Sequence, residues 1–168
     1  MLIDHTYFTH GFRHIQNASL GTRPNPNAAE VVGAIGAYID DEQERFLTLA
    51  LGQHVGNKVH TYLVCRDEGD KIRNDAIEKV CDKLREAFAD YTFYRILRAS
   101  NTQATITGLV KLKGANEYAS PVQRQVMAWN SMVDRMREFA AWSATDECAL
   151  KGISVDANIT TKINALNL

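Results

Sequence analysis

The chain has 168 residues, of which 45% are hydrophobic and 23% charged, and its formal net charge is −1. These values are typical of one soluble globular domain and argue against a disordered chain. Because the net charge is near zero, the usual electrostatic reason to expect nucleic-acid binding is missing. The sequence has no apolar run of the roughly 18 residues that a membrane span needs, and its start carries no signal-peptide pattern. We therefore expect neither a membrane protein nor a secreted one.

Metal-binding, cofactor and disulfide patterns are not found in the sequence. Three cysteines, Cys65, Cys81 and Cys148, are an odd number at wide spacing, which indicates reduced thiols in a cytosol. His10 and His14 could share a helix face, but no carboxylate lies near them in sequence to complete a zinc site. We expect no metal, no cofactor and no catalytic residue.

A small enzyme is the alternative from another functional class. It would use His54, His60 or the carboxylates of residues 40–44. Histidines six residues apart point to different faces of a helix, and acidic residues ahead of an apolar run are typical of a helix N-terminus. Catalytic groups usually converge as an acid, a base and an orienting residue. These candidates are scattered, so we expect a protein that is not an enzyme.

The first half of the chain predicts short helices after an irregular start. MLIDHTYF predicts a short strand or an extended arm, and residues 17–27, rich in Asn, Gly and Pro, predict a loop. Apolar periodicity then predicts four helices. The first covers 28–39, and the second begins at a cap formed by Asp40 or Asp41 and ends at Gly52. The third covers about 55–63 and the fourth about 70–97, with a break near Asp90. The last of these alternates basic and acidic residues on its outer face, which argues against a DNA-recognition helix.

Residues 120–143 form the clearest predicted helix. Ser120 can cap it, Pro121 suits its first turn, and apolar side chains recur at steps of three and four from Val122 to Ala140. So wide an apolar stripe must be buried, which predicts the central helix of a small bundle. The predicted core residues are Leu84, Phe88, Val126, Trp129, Val133 and Met136.

Two stretches predict extended structure. Residues 103–113, β-branched and interrupted by Gly108, predict a short β-hairpin or extended loop that projects between two long helices. Residues 153–165 alternate strictly between apolar or small and polar side chains, which predicts a half-buried strand. This strand would pair with residues 105–112 or add to a sheet of a neighbouring molecule. A disordered tail, in which the alternation is chance, is the alternative. The predicted interface residues are Lys111, Lys113, Ile153, Val155, Ile159 and Ile163.

The predicted fold is therefore mainly α: a bundle with a hairpin in residues 1–150, and a C-terminal β-like arm in 151–168. The sequence resembles the head–tail connector (adaptor) proteins of tailed bacteriophages and prophages. The resemblance rests on three stretches, LIDHTYF, YIDDEQERFLTLALGQHVGNKV and TGLVKLKGANEYASPVQRQVMAWNSMVDRMREF.

The resemblance implies a structural virion protein that assembles in the host cytoplasm. It implies a ring of about twelve copies in the neck of the particle, between the portal protein and a tail or neck protein. DNA would only pass through the ring. Another neck or tail-completion protein is the alternative within the same particle.

Overall fold

The computed structural model describes residues 1–20, 26–67, 73–100, 102–105, 108–111 and 121–164. These residues are mainly helical, which confirms the predicted fold class. The helices are α1 (Pro26–Leu51), α2 (Gln53–Asp67), α3 (Asp75–Ser100) and α4 (Pro121–Ser143). Two short strands, β1 (Thr102–Thr105) and β2 (Gly108–Lys111), lie between α3 and α4, and 3-10 turns cover His5–Phe8, Gly11–Arg13 and Ala157–Thr160.

Helix α1 is one continuous helix, so the predicted break and cap at Asp40 or Asp41 are wrong. Ile39 and Phe46 are both fully buried on the same face, seven residues apart, and nothing between them breaks the helix. Asp40 and Asp41 lie in mid-helix on the exposed side. Gly52, in the left-handed conformation at φ +80°, ends the helix as predicted.

Helix α3 is the central helix of the bundle, a role that the sequence predicted for α4. Eight consecutive residues, 87–94, are buried, so the middle of α3 is covered on every side. On the α1 side, Phe46 packs against Phe88 and Tyr91, with ring centroids 5.0 and 5.3 Å apart. The predicted break near Asp90 does not occur, because this buried aspartate is held by partners from other elements.

Helix α4 packs on both α3 and the segment that follows α4. Val133 and Met136 are fully buried, as are Leu84 and Phe88 of α3, which confirms four of the six predicted core residues. Val126 and Trp129 are only half-buried. One face of α4 is the most buried, and it consists of Gln125, Ala128, Met132, Met136 and Phe139. An apolar stripe in the sequence cannot identify all of this face, because Gln125 is polar and Ala128 is small.

The segment after α4 is not a strand in the described residues, so the β-like arm predicted for 153–165 is wrong there. Two sets of hydrogen bonds fix the path of this segment instead. The N–H groups of Ser154 and Asp156 donate to the carbonyls of Leu51 and Leu49, which are left without partners at the end of α1. The Asp156 side chain then caps the 3-10 turn that places Ile159, 1% exposed, in the core shared with the helices.

The start of the chain also differs from the predicted strand or arm. Asp4 accepts a hydrogen bond from the Thr6 N–H and caps the His5–Phe8 turn. Leu2, Ile3 and Phe8 are buried against the bundle. The predicted loop 17–27 is described only in part, as residues 21–25 lie outside the described structure and α1 begins at Pro26.

Candidate functional site

The strands β1 and β2 pair antiparallel, with Thr102 opposite Lys111 and Thr105 opposite Gly108. Among the described residues each strand pairs only with the other. Both strands therefore have an outer edge whose main-chain N–H and C=O groups have no partner strand in this part of the chain. Residues 106–107 and 112–113, which include the predicted interface residue Lys113, lie outside the described structure.

The other predicted interface residues lie on the segment that follows α4. Ile153, Val155 and Ile163 are half-buried, and each packs against the core of its own chain. Ile159 is buried in that core, so its side chain is not accessible to a partner while the segment is seated. Lys111 is the last residue of β2, on the other extended element.

Three side chains of α4 hold the segment by its main chain. The Trp129 Nε1–H donates to the Thr161 carbonyl at 2.9 Å, and the Arg137 Nε–H donates to the Thr160 carbonyl at 2.9 Å. The Asn130 amide makes two bonds to Ile163, accepting from its N–H at 2.9 Å and donating to its carbonyl at 3.0 Å. We call Trp129, Asn130 and Arg137 the main-chain clamp.

A buried charge cluster joins the N-terminal segment to α3 and α4. The Asp90 side chain is 0% exposed, and its Oδ2 accepts from Ser131 Oγ at 2.6 Å and from Arg135 Nε at 3.0 Å. Arg13 reaches the same carboxylate, with Nη1 3.3 Å from Oδ1, and also donates to Glu86 at 2.6 Å. Two arginines thus face two carboxylates, which offsets part of the cost of burying Asp90.

The residues considered for catalysis do not converge. His54 lines an open groove of about 520 Å³ between α2 and the start of α3, and the described residues that line this groove include no carboxylate. His60 does not line that groove. Within the described ranges no group of three or more His, Cys, Asp or Glu side chains is placed to hold a metal ion. Glu42, from the acidic run, is paired with Arg95 at 2.6 Å.

The three cysteines are free, and two of them, Cys81 and Cys148, are buried. Burial raises the pKa of the Cys81 thiol to about 12, so the reactive thiolate is scarce at neutral pH. Cys81 therefore behaves as a small apolar core residue.

No protein-family model, curated protein or solved structure matches this chain. Among the helices of the described structure, none combines the length and the apolar character that crossing a membrane requires.

The clamp and the charge cluster were not predicted from the sequence. Asn130 and Arg137 lie outside the apolar stripe of α4, and periodicity cannot show that a later segment covers that side of the helix. Asp90 gave a usable signal, since it lies between the buried residues Phe88 and Tyr91 in an apolar stretch. A carboxylate at such a position requires partners.

Two carboxylates are expected to give opposite pH dependences of stability. Burial raises the pKa of Asp90 above its ordinary value. The hydrogen bond from Ser131 and the charges of Arg13 and Arg135 act in the opposite direction but do not cancel this effect. Asp90 therefore contributes stability below its unfolded pKa that is lost as pH rises through its folded pKa. At Glu78 burial also favours protonation, but hydrogen bonds from Tyr62 and Arg66 lower the pKa overall. Its contribution is present above its unfolded pKa and is lost as pH falls through its folded pKa.

The measurement compares urea unfolding of wild type, Asp90→Asn and Glu78→Gln across the acidic to neutral range. The free energy of unfolding of wild type minus that of Asp90→Asn should fall as pH rises. The same difference for Glu78→Gln should rise. Slopes of the same sign for both variants would contradict the assigned environments.

Proposed function

We propose that this protein is a structural subunit of a phage head–tail connector, which assembles as a ring between the portal protein and a tail or neck protein. The observation that carries the proposal is the β1–β2 pair. An isolated two-stranded hairpin is marginally stable in water, and its open edges invite further strands. In a ring, each hairpin gains a strand or a packing surface from the neighbouring subunit.

The first half of α1 supports the same proposal. Ala29, Gly33, Ala34 and Ala37 are exposed along this helix, and an added Cβ at Gly33 or Gly36 would meet no atom within 4 Å. Glycine inside a helix costs about 1 kcal/mol relative to alanine, and packing within the described chain gives no reason for it. Small residues allow the backbone of a neighbouring helix to approach closely.

Such contacts would be heterologous, because they join different surfaces of successive subunits. They close a ring when the rotation from one subunit to the next is a whole fraction of 360°. Lys111 and Lys113 would lie at these contacts, with Ile153, Val155 and Ile163 on the segment after α4. The ring would be located in the virion neck, with DNA passing through it as cargo. A net charge of −1 suits a passage that does not grip DNA.

The test is electron microscopy and native mass spectrometry of the protein, alone and with the portal protein of the same phage. Wild type should form rings or bind the portal as a ring. Lys111→Glu with Lys113→Glu should keep the melting midpoint but weaken assembly. The matched control, Lys58→Glu with Lys83→Glu, makes the same charge change at two exposed positions and should assemble normally.

A protein that stays monomeric with the portal present would contradict the proposal. Binding to the tail end of the neck without binding to the portal would instead identify a tail-completion protein.

A further inference from the structure

The main-chain clamp is built as a peptide-binding site. All four of its hydrogen bonds go to backbone atoms of residues 160–163, and none depends on a side chain of the bound segment. Next to it, Ile159 fills an apolar pocket of the core. Main-chain bonds beside one buried apolar anchor are the usual pattern by which proteins bind extended peptides.

Apart from Ile159, the bound segment packs the Ile163 side chain against the core. Thr161, Lys162 and Asn164 are exposed, and Lys162 forms an ion pair with Asp134 of α4 at 2.7 Å with both side chains about half exposed. Such an exposed pair contributes little to stability. Residues 160–163 are thus held mainly by the clamp and by the packing of Ile163.

The connection between α4 and the segment has the features of a hinge. Cys148 anchors the first part of this connection in the core, but Lys151 and Gly152 after it are exposed. Gly152 is in the left-handed conformation at φ +83°, which a glycine leaves and enters at little cost. A change of direction here would carry the segment away from its own α4 without altering the helices.

We infer that in the assembled protein the main-chain clamp and the end of α1 of each subunit hold residues 153–164 of a second copy. This rests on the proposed ring. Exchange of this whole element preserves the contacts of the clamp, the Ile159 pocket and the bonds of Ser154 and Asp156 to the end of α1. Only the hinge changes, and each subunit becomes tied to its neighbour. The partner of this surface is thus the segment of another copy of the same chain.

Asp134 and Lys162 allow a direct test, because their side chains face each other and are accessible. Two differently tagged chains, one carrying Asp134→Cys and the other Lys162→Cys, are co-expressed in a Cys65→Ser background and treated with a short bis-maleimide. Each chain has only one of the two new thiols, so a covalent dimer can form at this site only if the segment of one chain lies on α4 of the other. Asp75→Cys replaces Asp134→Cys in the control, since Asp75 is an aspartate at least as accessible, at the start of α3 and away from the clamp.

We expect covalent dimers of the two tags in the ring fraction and none with the Asp75→Cys control. The chain that carries both Asp134→Cys and Lys162→Cys should link within one chain in the monomer fraction and between chains in the ring. Rings that give only links within one chain would overturn the exchange and leave the connector proposal standing. If no ring forms even with the portal protein, both proposals fail.

Discussion

Replacing Ile159 with Asp is expected to lower the free energy of unfolding by about 4 kcal/mol or more. The side chain is 1% exposed, so the variant loses the burial of an isoleucine and places a carboxylate in the apolar core. The expected measurement is a shift of the urea midpoint with an unchanged slope. Because the pocket of Ile159 is the same whichever copy supplies the segment, the variant should also assemble poorly.

Asn158→Asp is the matched control, because it adds the same charge one residue away on an exposed side chain. Its effect on the free energy of unfolding should be small, as for most exposed substitutions. If Ile159→Asp unfolds no more readily than Asn158→Asp, residues 157–160 do not belong to the core.

Gly56→Ala is the second substitution for which we expect a large effect. A Cβ at Gly56 would lie 2.7 Å from the Leu47 carbonyl oxygen and 2.9 Å from Thr48 Cα, so it would collide with the backbone of α1. Backbone atoms inside a helix cannot move singly, and α1 and α2 would have to separate at the corner where Gly52 joins them. We expect the free energy of unfolding to fall by about 3 kcal/mol.

Gly33→Ala makes the same chemical change inside α1, where an added Cβ meets open space. It should raise the free energy of unfolding of the monomer by about 0.5–1 kcal/mol, because alanine loses less backbone entropy in a helix. Thermal or urea unfolding of the two variants should thus shift in opposite directions. A gain in stability from both would mean that α1 and α2 do not approach closely at Gly56.

Local pattern was enough to predict much of the helical framework. Leu84 and Phe88 in α3 and Val133 and Met136 in α4 recur at helical spacing, and they are buried as predicted. The end of α1 at Gly52 was also predictable, because the φ preference of glycine is a property of that residue alone. These features depend on residues that are near one another in sequence.

The tertiary structure decided which helix lies at the centre and what covers each face. Trp129 and Asn130 looked like one apolar and one solvated residue of α4, yet both bind the segment that follows, which no periodicity within α4 can indicate. Likewise Asp90 stays in an unbroken helix because Arg13 and Arg135, from distant parts of the chain, reach it.

The segment after α4 is the clearest case of the difference between local pattern and tertiary structure. Its alternation from residue 153 onwards suits a strand, and it correctly indicated that Ile153, Val155, Ile159 and Ile163 pack on the core, although Ala157 and Thr161 of the same series are exposed. Whether a strand forms depends on where the main-chain N–H groups find acceptors. In this chain the acceptors are the last carbonyls of α1 and the side chain of Asn130, neither of which is a neighbouring strand. The identity of those acceptors is a long-range property, so only the folded chain could decide it.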